Sequence, residues 1–201
     1  MANLSHQLKQ LNHFPEKVKQ QLLFIEKEYN HRKDSWNIPY DEGIFLNLLV
    51  KTKKPKTILE IGTSYGYSTV FFAEAAAKVG AKLITVDINP EKTKIARENI
   101  EKAGLSSVVE FVTNDANIAL KELLAKGVKP DFIFLDAKKT DYLQQFMLLE
   151  KSVLQPCVIA ADNAIDLAEN MKDFLDYLQQ NSQLLHVIVP IGNGIALCYL
   201  E

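Results

Sequence analysis

Apolar residues recur along this chain in two alternating rhythms. Leu4, Leu8 and Leu11 fall at helical spacing, Pro15 interrupts, and Val18, Leu22, Ile25 and Tyr29 resume the pattern. A polar stretch over 30–37 ends it. A further helix after Pro39 carries Ile44, Phe45, Leu48 and Leu49 on one face. From Lys56 onward short apolar runs take over, each separated from the next by a helical stretch. The runs predict strands at 57–61, 83–86, 108–112, 132–135, 158–161, 185–189 and 195–200. The stretches between them predict helices at 67–78, from Pro90 to a C-cap at Gly104, and at 117–126, 142–151 and 167–178. Strands alternating with helices imply right-handed crossovers and a mainly parallel sheet covered on both faces. The last two strands have no helix between them, so they are expected to pair antiparallel. The expectation is one α/β domain over 1–201, opening with a helical N-terminal extension over 1–37.

Composition narrows the function classes. The formal net charge of −2 gives no general attraction to nucleic acid or to an anionic membrane surface. Cys157 and Cys198 are far apart and form neither a Cys-x-x-Cys nor a zinc pattern. Cys157 lies in a strand-like run, where a thiol packs as a small hydrophobe. The sequence Met1 to Gln7 lacks the apolar core of a signal peptide, and no apolar run is long enough to span a bilayer. A cytoplasmic protein with reduced thiols is expected. The histidines show no ligand spacing.

In an open parallel sheet, ligands bind beyond the carboxyl ends of the strands. Five predicted strands end at or near an acid there: Glu60, Asp87, Asp115 after Asn114, Asp136, and Asp162 beside Asn163. Together they predict an acidic rim suited to a cationic ligand, a metal or both. Between Glu60 and Ser68 the first loop holds Gly62, Ser64 and Gly66. A dinucleotide site would want Gly-x-Gly-x-x-Gly, and the spacing here disfavours a nicotinamide dehydrogenase. An acid ahead of a glycine loop would repel a pyrophosphate; it suits an ammonium group or a sulfonium. Asp87 stands where a nucleoside-binding sheet places its ribose acceptor, or it is a turn residue ahead of Asn89-Pro90. Asp136, Asp162 and Asn163 offer three oxygen ligands for a hard cation, magnesium or manganese, whereas zinc would want His or Cys. Lys139 could act as general base beside a metal-held hydroxyl, with Lys138 a rival. Tyr142, Tyr67 and Trp36 are candidate aromatic walls, or ordinary packing residues.

The segments Leu59 to Ser68, Asp87-Ile88-Asn89-Pro90, Asn114-Asp115-Ala116, Phe134 to Lys139 and Ala161-Asp162-Asn163, in that order, resemble the cation-dependent O-methyltransferase family of catechol and caffeoyl-CoA O-methyltransferases. Pro39 to Gly43 and Pro190 to Gly194 are similar to that family's lead-in and final turn. The resemblance runs from about residue 38 to the end. It implies a Rossmann-like seven-stranded sheet with the last strand antiparallel, and S-adenosylmethionine as cofactor. Glu60, Gly62, Ser64, Gly66 and Ser68 would serve the methionine end, Asp87 and Ile88 the ribose, and Asp115 and Ala116 the adenine. Asp136, Asp162 and Asn163 would hold the cation, with Asp136 also beside the cofactor, and Lys139 would be the catalytic base. A homodimer and a small acceptor with adjacent hydroxyls are also implied.

Three positions depart from the family's pattern. The family usually has a longer, Trp-containing loop after the Asp-Asn pair. Here Ala164-Ile165-Asp166-Leu167 runs almost directly toward a helix. Lys138 and Asn193 stand where acids are usual. These departures bear on the acceptor more than on the cofactor. An open site would also suit RNA, with Lys51, Lys53, Lys54 and Lys56 as a phosphate patch, although the net charge disfavours this. A domain that binds the nucleoside without catalysis is the third alternative.

Overall fold

The computed structural model describes residues 13–201. The helix expected around Leu4 to Leu11 lies outside the described residues. Seven strands form one sheet: β1 (Thr57–Ile61), β2 (Lys82–Asp87), β3 (Val109–Thr113), β4 (Phe132–Leu135), β5 (Cys157–Ala161), β6 (Leu185–Val189) and β7 (Ile195–Leu200). Their order is β3-β2-β1-β4-β5-β7-β6. The first five pair in parallel, while β7 runs antiparallel to both of its neighbours. From β1 the chain winds outward to β3 on one side and, from β4, outward on the other. The carboxyl ends of β1 and β4 therefore form the switch point of the sheet, where a crevice opens between diverging connections.

Two apolar layers sandwich this sheet. One holds α1 (Glu16–Tyr29), α2 (Tyr40–Lys53), α3 (Tyr67–Val79) and α4 (Pro90–Lys102). The other holds α5 (Ala116–Ala125), α6 (Tyr142–Glu150) and α7 (Lys172–Gln180). Side chains alternate across a strand, so Ile58 of β1 joins the first layer and Leu59 the second. Every residue of α3 from Tyr67 to Ala76 is buried. That is the signature of a helix held between the sheet and an outer helical layer, here α1 and α2. The N-terminal helices are thus part of the core: Val18, Leu22 and Ile25 of α1 are fully enclosed. Among the described residues, no helix is long and apolar enough to cross a membrane.

The observed elements match the expected ones closely, with one instructive shift. The helix expected from Leu167 opens instead as a 3-10 turn, Ala168–Met171, and α7 begins only at Lys172. The segment just upstream is anchored elsewhere. Ala164 N donates to Gly194 O, while Ile165 N and Asp166 N donate to Asn193 O. These amides are tied to the β6–β7 turn, so the segment after β5 folds back over the sheet end before any helix starts.

At the opposite end of the sheet, Asp131 is a structural tie. Its carboxylate accepts from Lys56 N and Thr57 N at 2.9 Å each, and Lys53 Nζ stands 3.7 Å away. It fixes the start of β1 against β4 in a buried position. Asp131→Ala is expected to lower unfolding free energy by about 1–2 kcal/mol, because two part-buried backbone donors lose a charged acceptor. Urea denaturation measures this, and a loss under about 0.5 kcal/mol would mean that water replaces the carboxylate without cost.

Candidate functional site

The site begins where β1 ends. Gly62 has φ +116°, and a Cβ there would overlap the Asp136 carbonyl oxygen at the end of β4. Only glycine allows that approach. Asp136 N also donates to Ile61 O at 2.8 Å, which closes the β1–β4 seam just below the crevice. The loop then turns through Ser64, which has φ +47°, and Ser64 N donates to Asp87 Oδ2 at 2.7 Å. Asn89 N donates to the other oxygen, Asp87 Oδ1, at 2.8 Å. Asp87 therefore links the loop to the end of β2 and still has acceptor capacity facing the crevice. The helix-capping role belongs to Asn89, whose side chain accepts from Glu91 N and Lys92 N.

A cavity of about 720 Å³ occupies this edge of the sheet. Its walls include Gly62, Ser64 and Ser68 from the β1–α3 connection, Asp87 and Ile88 after β2, and Asp115 and Ala116 after β3. Asp136 and Lys139 after β4 and Asp162 and Asn163 after β5 complete this set. Tyr67 and the exposed Trp36 also line it. Tyr142 does not; its hydroxyl donates to Leu135 O and its ring packs on Phe174. Asp115 Oδ1 accepts from Asn117 N and Ile118 N, so it caps α5 while lining the cavity.

Glu60 and Gly66, both expected among the cofactor residues, do not line the cavity. Gly66 is the αL residue that opens α3. Glu60 lies beneath the loop, fully buried, with its carboxylate accepting from Ser68 Oγ at 2.5 Å, Thr69 Oγ1 at 2.6 Å and Thr85 Oγ1 at 2.7 Å. The expected rim of five acids is thus four strand ends around a cavity, with a fifth acid below its floor. Burial pushes Glu60 up to about 7, partly offset by the three hydroxyls.

The acids at β4 and β5 form a crowded group. Lys139 Nζ donates to Asp136 Oδ1 at 2.8 Å, both side chains being mostly shielded. Asp136 titrates above the usual carboxylate range because it is desolvated, with Lys139 opposing the shift and the Asp162 charge adding to it. Asp162 is 1% exposed and is also raised by burial. Its Oδ1 accepts from Asn163 N at 2.6 Å. Asn163 has φ +68°. Its Nδ2 donates to both carboxylate oxygens of Asp166, at 3.0 and 3.2 Å. Because a carboxylate only accepts, this bond fixes the amide flip and leaves Asn163 Oδ1 as the free end.

Glu42 of α2 had no distinguishing signal in the sequence beyond the Pro39–Gly43 segment. It is fully buried, lies near Asp162, and accepts from Asn193 N at 3.2 Å, with its Oε1 left unpartnered. Burial and the Asp162 charge hold it well above the ordinary range. Gln145, Asp141 and Asp166 also line the cavity and come from helical or turn segments with no motif. Among the described residues, no three His, Cys, Asp or Glu side chains are gathered as a metal-binding set by themselves. The expected set is of another kind, two carboxylates and one amide.

Glu60 provides a test of this burial pattern. Its pKa rises from 4.5 to about 7 on folding. Its contribution to stability is therefore full below about 4.5 and is lost as pH rises through about 7. Between pH 5 and 8, wild type should lose stability relative to Glu60→Gln by on the order of 2–3 kcal/mol. Parallel stability–pH curves for the two proteins would contradict the assignment.

Comparison with known proteins adds to this geometry. A profile of the O-methyltransferase family matches residues 15–200. A catechol O-methyltransferase of Niastella koreensis is 40% identical over 126 residues, 62% of this chain and 57% of that one. A flavonoid 3',5'-methyltransferase of Vitis vinifera is 32% identical over 183 residues, covering 81% of this chain and 77% of the relative. A caffeoyl-CoA O-methyltransferase of Petunia hybrida is 32% identical over 190 residues, covering 83% and 78%. An O-methyltransferase from Bacillus cereus, solved in complex with SAH, superposes with a TM-score of 0.79 at 26% identity, covering 93% of this chain and 91% of that one. With nearly the whole described length matched and the β1, β2, β4 and β5 segments converging on one cavity, this chain belongs to the O-methyltransferase family.

Proposed function

We propose that this protein transfers a methyl group from S-adenosylmethionine to a hydroxyl of a small acceptor with adjacent hydroxyls, assisted by magnesium or manganese. The observation that carries the proposal is the single cavity that gathers the glycine loop, Asp87, Lys139 and the Asp136–Asp162–Asn163 group. The relatives named for catechol and caffeoyl-CoA support the acceptor class, and the Bacillus cereus complex supports the cofactor.

The residues fit the cofactor. Ser64 Oγ and Asn37 Nδ2 are buried cavity-lining atoms without protein partners, which a polar ligand would satisfy. Asp87 would accept from the ribose hydroxyls, beside Ile88. Ser68 would meet the methionine end, held from below by Glu60, whose part is then indirect. Asp115 and Ala116 would border the adenine, and Gly66 would shape the loop rather than touch the ligand.

The residues also fit a hard cation. Asp136, Asp162 and Asn163 offer only oxygen ligands, since the Asn163 amide nitrogen is engaged by Asp166, and the two aspartates share one lysine. The cofactor supplies an electrophilic methyl group, and the cation, when bound, favours the deprotonated form of a hydroxyl beside it. The chain's own residues do the rest. In its neutral form Lys139, whose Nζ lies 2.8 Å from Asp136 Oδ1, would receive the hydroxyl proton. Trp36 and Leu167 line the cavity and would limit water access. Fixing both reactants in one cavity removes much of the entropic barrier.

Two of the four lysines of the proposed RNA patch are engaged by acids: Lys51 pairs with buried Glu74 at 2.7 Å, and Lys53 faces Asp131, while Lys54 and Lys56 are exposed. A purely nucleoside-binding role would leave the Lys139 and acid cluster without a use.

Transfer of labelled methyl from S-adenosylmethionine to pyrocatechol, with magnesium or with chelator, tests the proposal. Asp162→Ala is expected to lower magnesium-stimulated turnover by about 100-fold while S-adenosylhomocysteine affinity stays within about twofold. Asp87→Ala should instead weaken cofactor binding by about tenfold or more. Full magnesium-stimulated turnover in Asp162→Ala would sink the cation assignment.

A further inference from the structure

Gln145 is the buried polar side chain in this cavity that the proposed reaction leaves unexplained. It is 1% exposed, it lines the cavity, and neither its Nε2 nor its Oε1 has a hydrogen-bond partner. A buried amide with both ends idle is costly, because it gives up its bonds to water and gains none. A purely structural site would favour leucine or methionine there.

Its direction follows from the helix it sits on. Tyr142 and Phe146 of α6 pack against Phe174 of α7, with ring centroids 6.0 and 5.5 Å apart. That flank of α6 faces α7. Asp141 and Gln145 are four residues apart and share the other flank. Asp141 Oδ2 accepts from Asn117 Nδ2 at 3.1 Å, which places this flank against the start of α5. There the cavity is bordered by Asp115 and Ala116. Asn117 Oδ1, on the same side, is likewise buried without a partner. The unsatisfied amide thus lies under the part of the cavity assigned to the base.

We infer that Gln145 reads the adenine of the bound cofactor, its Oε1 accepting from the 6-amino group and its Nε2 donating to a neighbouring ring nitrogen. The inference rests on the proposed cofactor. An amide matches this base because adenine presents a donor and an acceptor side by side, the complement of a carboxamide. Leucine at this position would keep the volume and lose both bonds, so it separates a reader from a packing residue.

The test is calorimetric titration of wild type and Gln145→Leu with S-adenosylhomocysteine and with its analogue lacking the 6-amino group, alongside thermal melts of the ligand-free proteins. Wild type should bind the analogue about tenfold more weakly, and Gln145→Leu should bind both ligands with equal, reduced affinity. The ligand-free melting temperature of Gln145→Leu should equal or exceed that of wild type, since an unsatisfied amide has been removed. A wild type that binds S-adenosylhomocysteine but does not discriminate overturns the role of Gln145 and leaves the cofactor intact. So does a variant that discriminates as well as wild type. Failure of wild type to bind S-adenosylhomocysteine at all overturns the cofactor reading itself.

Discussion

The site depends on one steric constraint, the approach of the β1 and β4 ends at Gly62 and Asp136. The carbonyl of Asp136 occupies the space a Cβ would need at residue 62. Because the strands meet there, the glycine loop and the Asp136–Lys139 segment rise from the same point of the sheet. The loop's next amide can then reach Asp87 at the end of β2. Asp162, in register beyond β5, is brought beside Asp136 by the neighbouring pairing of Leu135 with Ala161. Sheet order alone makes this edge a crevice; the missing Cβ lets its two sides touch at the bottom.

The buried acids are costly to the fold. Glu60, Glu42, Asp136 and Asp162 all titrate high because burial disfavours their charged forms. A fold selected for stability alone would not place them together. Glu60 is compensated by three hydroxyls from the loop helix and β2. The group near β5 is compensated only in part, by Lys139 and backbone amides. Buried acids with raised pKa at the edge of a cavity are typical of functional sites, where a ligand can shift them back to the charged form.

The sequence was legible where chemistry is local. Strand ends and helix starts followed from period and from Pro39, Pro90 and the glycines, because these signals act over a few residues. The acids at Asp87, Asp115, Asp136 and Asp162 could be placed on one edge because a parallel sheet forces its carboxyl ends together. Burial depth was not legible. Glu60 reads as a strand-end acid, yet the side-chain alternation of β1 turns it under the loop. Glu42 comes near Asp162 across 120 residues of chain, and Gln145 is buried against the cavity from the middle of α6. The start of α7 was missed because a 3-10 turn, with Asn170 N donating to Leu167 O, precedes the helix, and no local sequence signal separates the two.

The most direct test of the whole account is calorimetric titration of chelator-treated protein with pyrocatechol, in the presence of saturating S-adenosylhomocysteine, with and without magnesium. The account predicts pyrocatechol binding only when magnesium is present, because the Asp136–Asp162–Asn163 group would hold the acceptor through the cation. Equal binding with and without magnesium, or none in either, would contradict it.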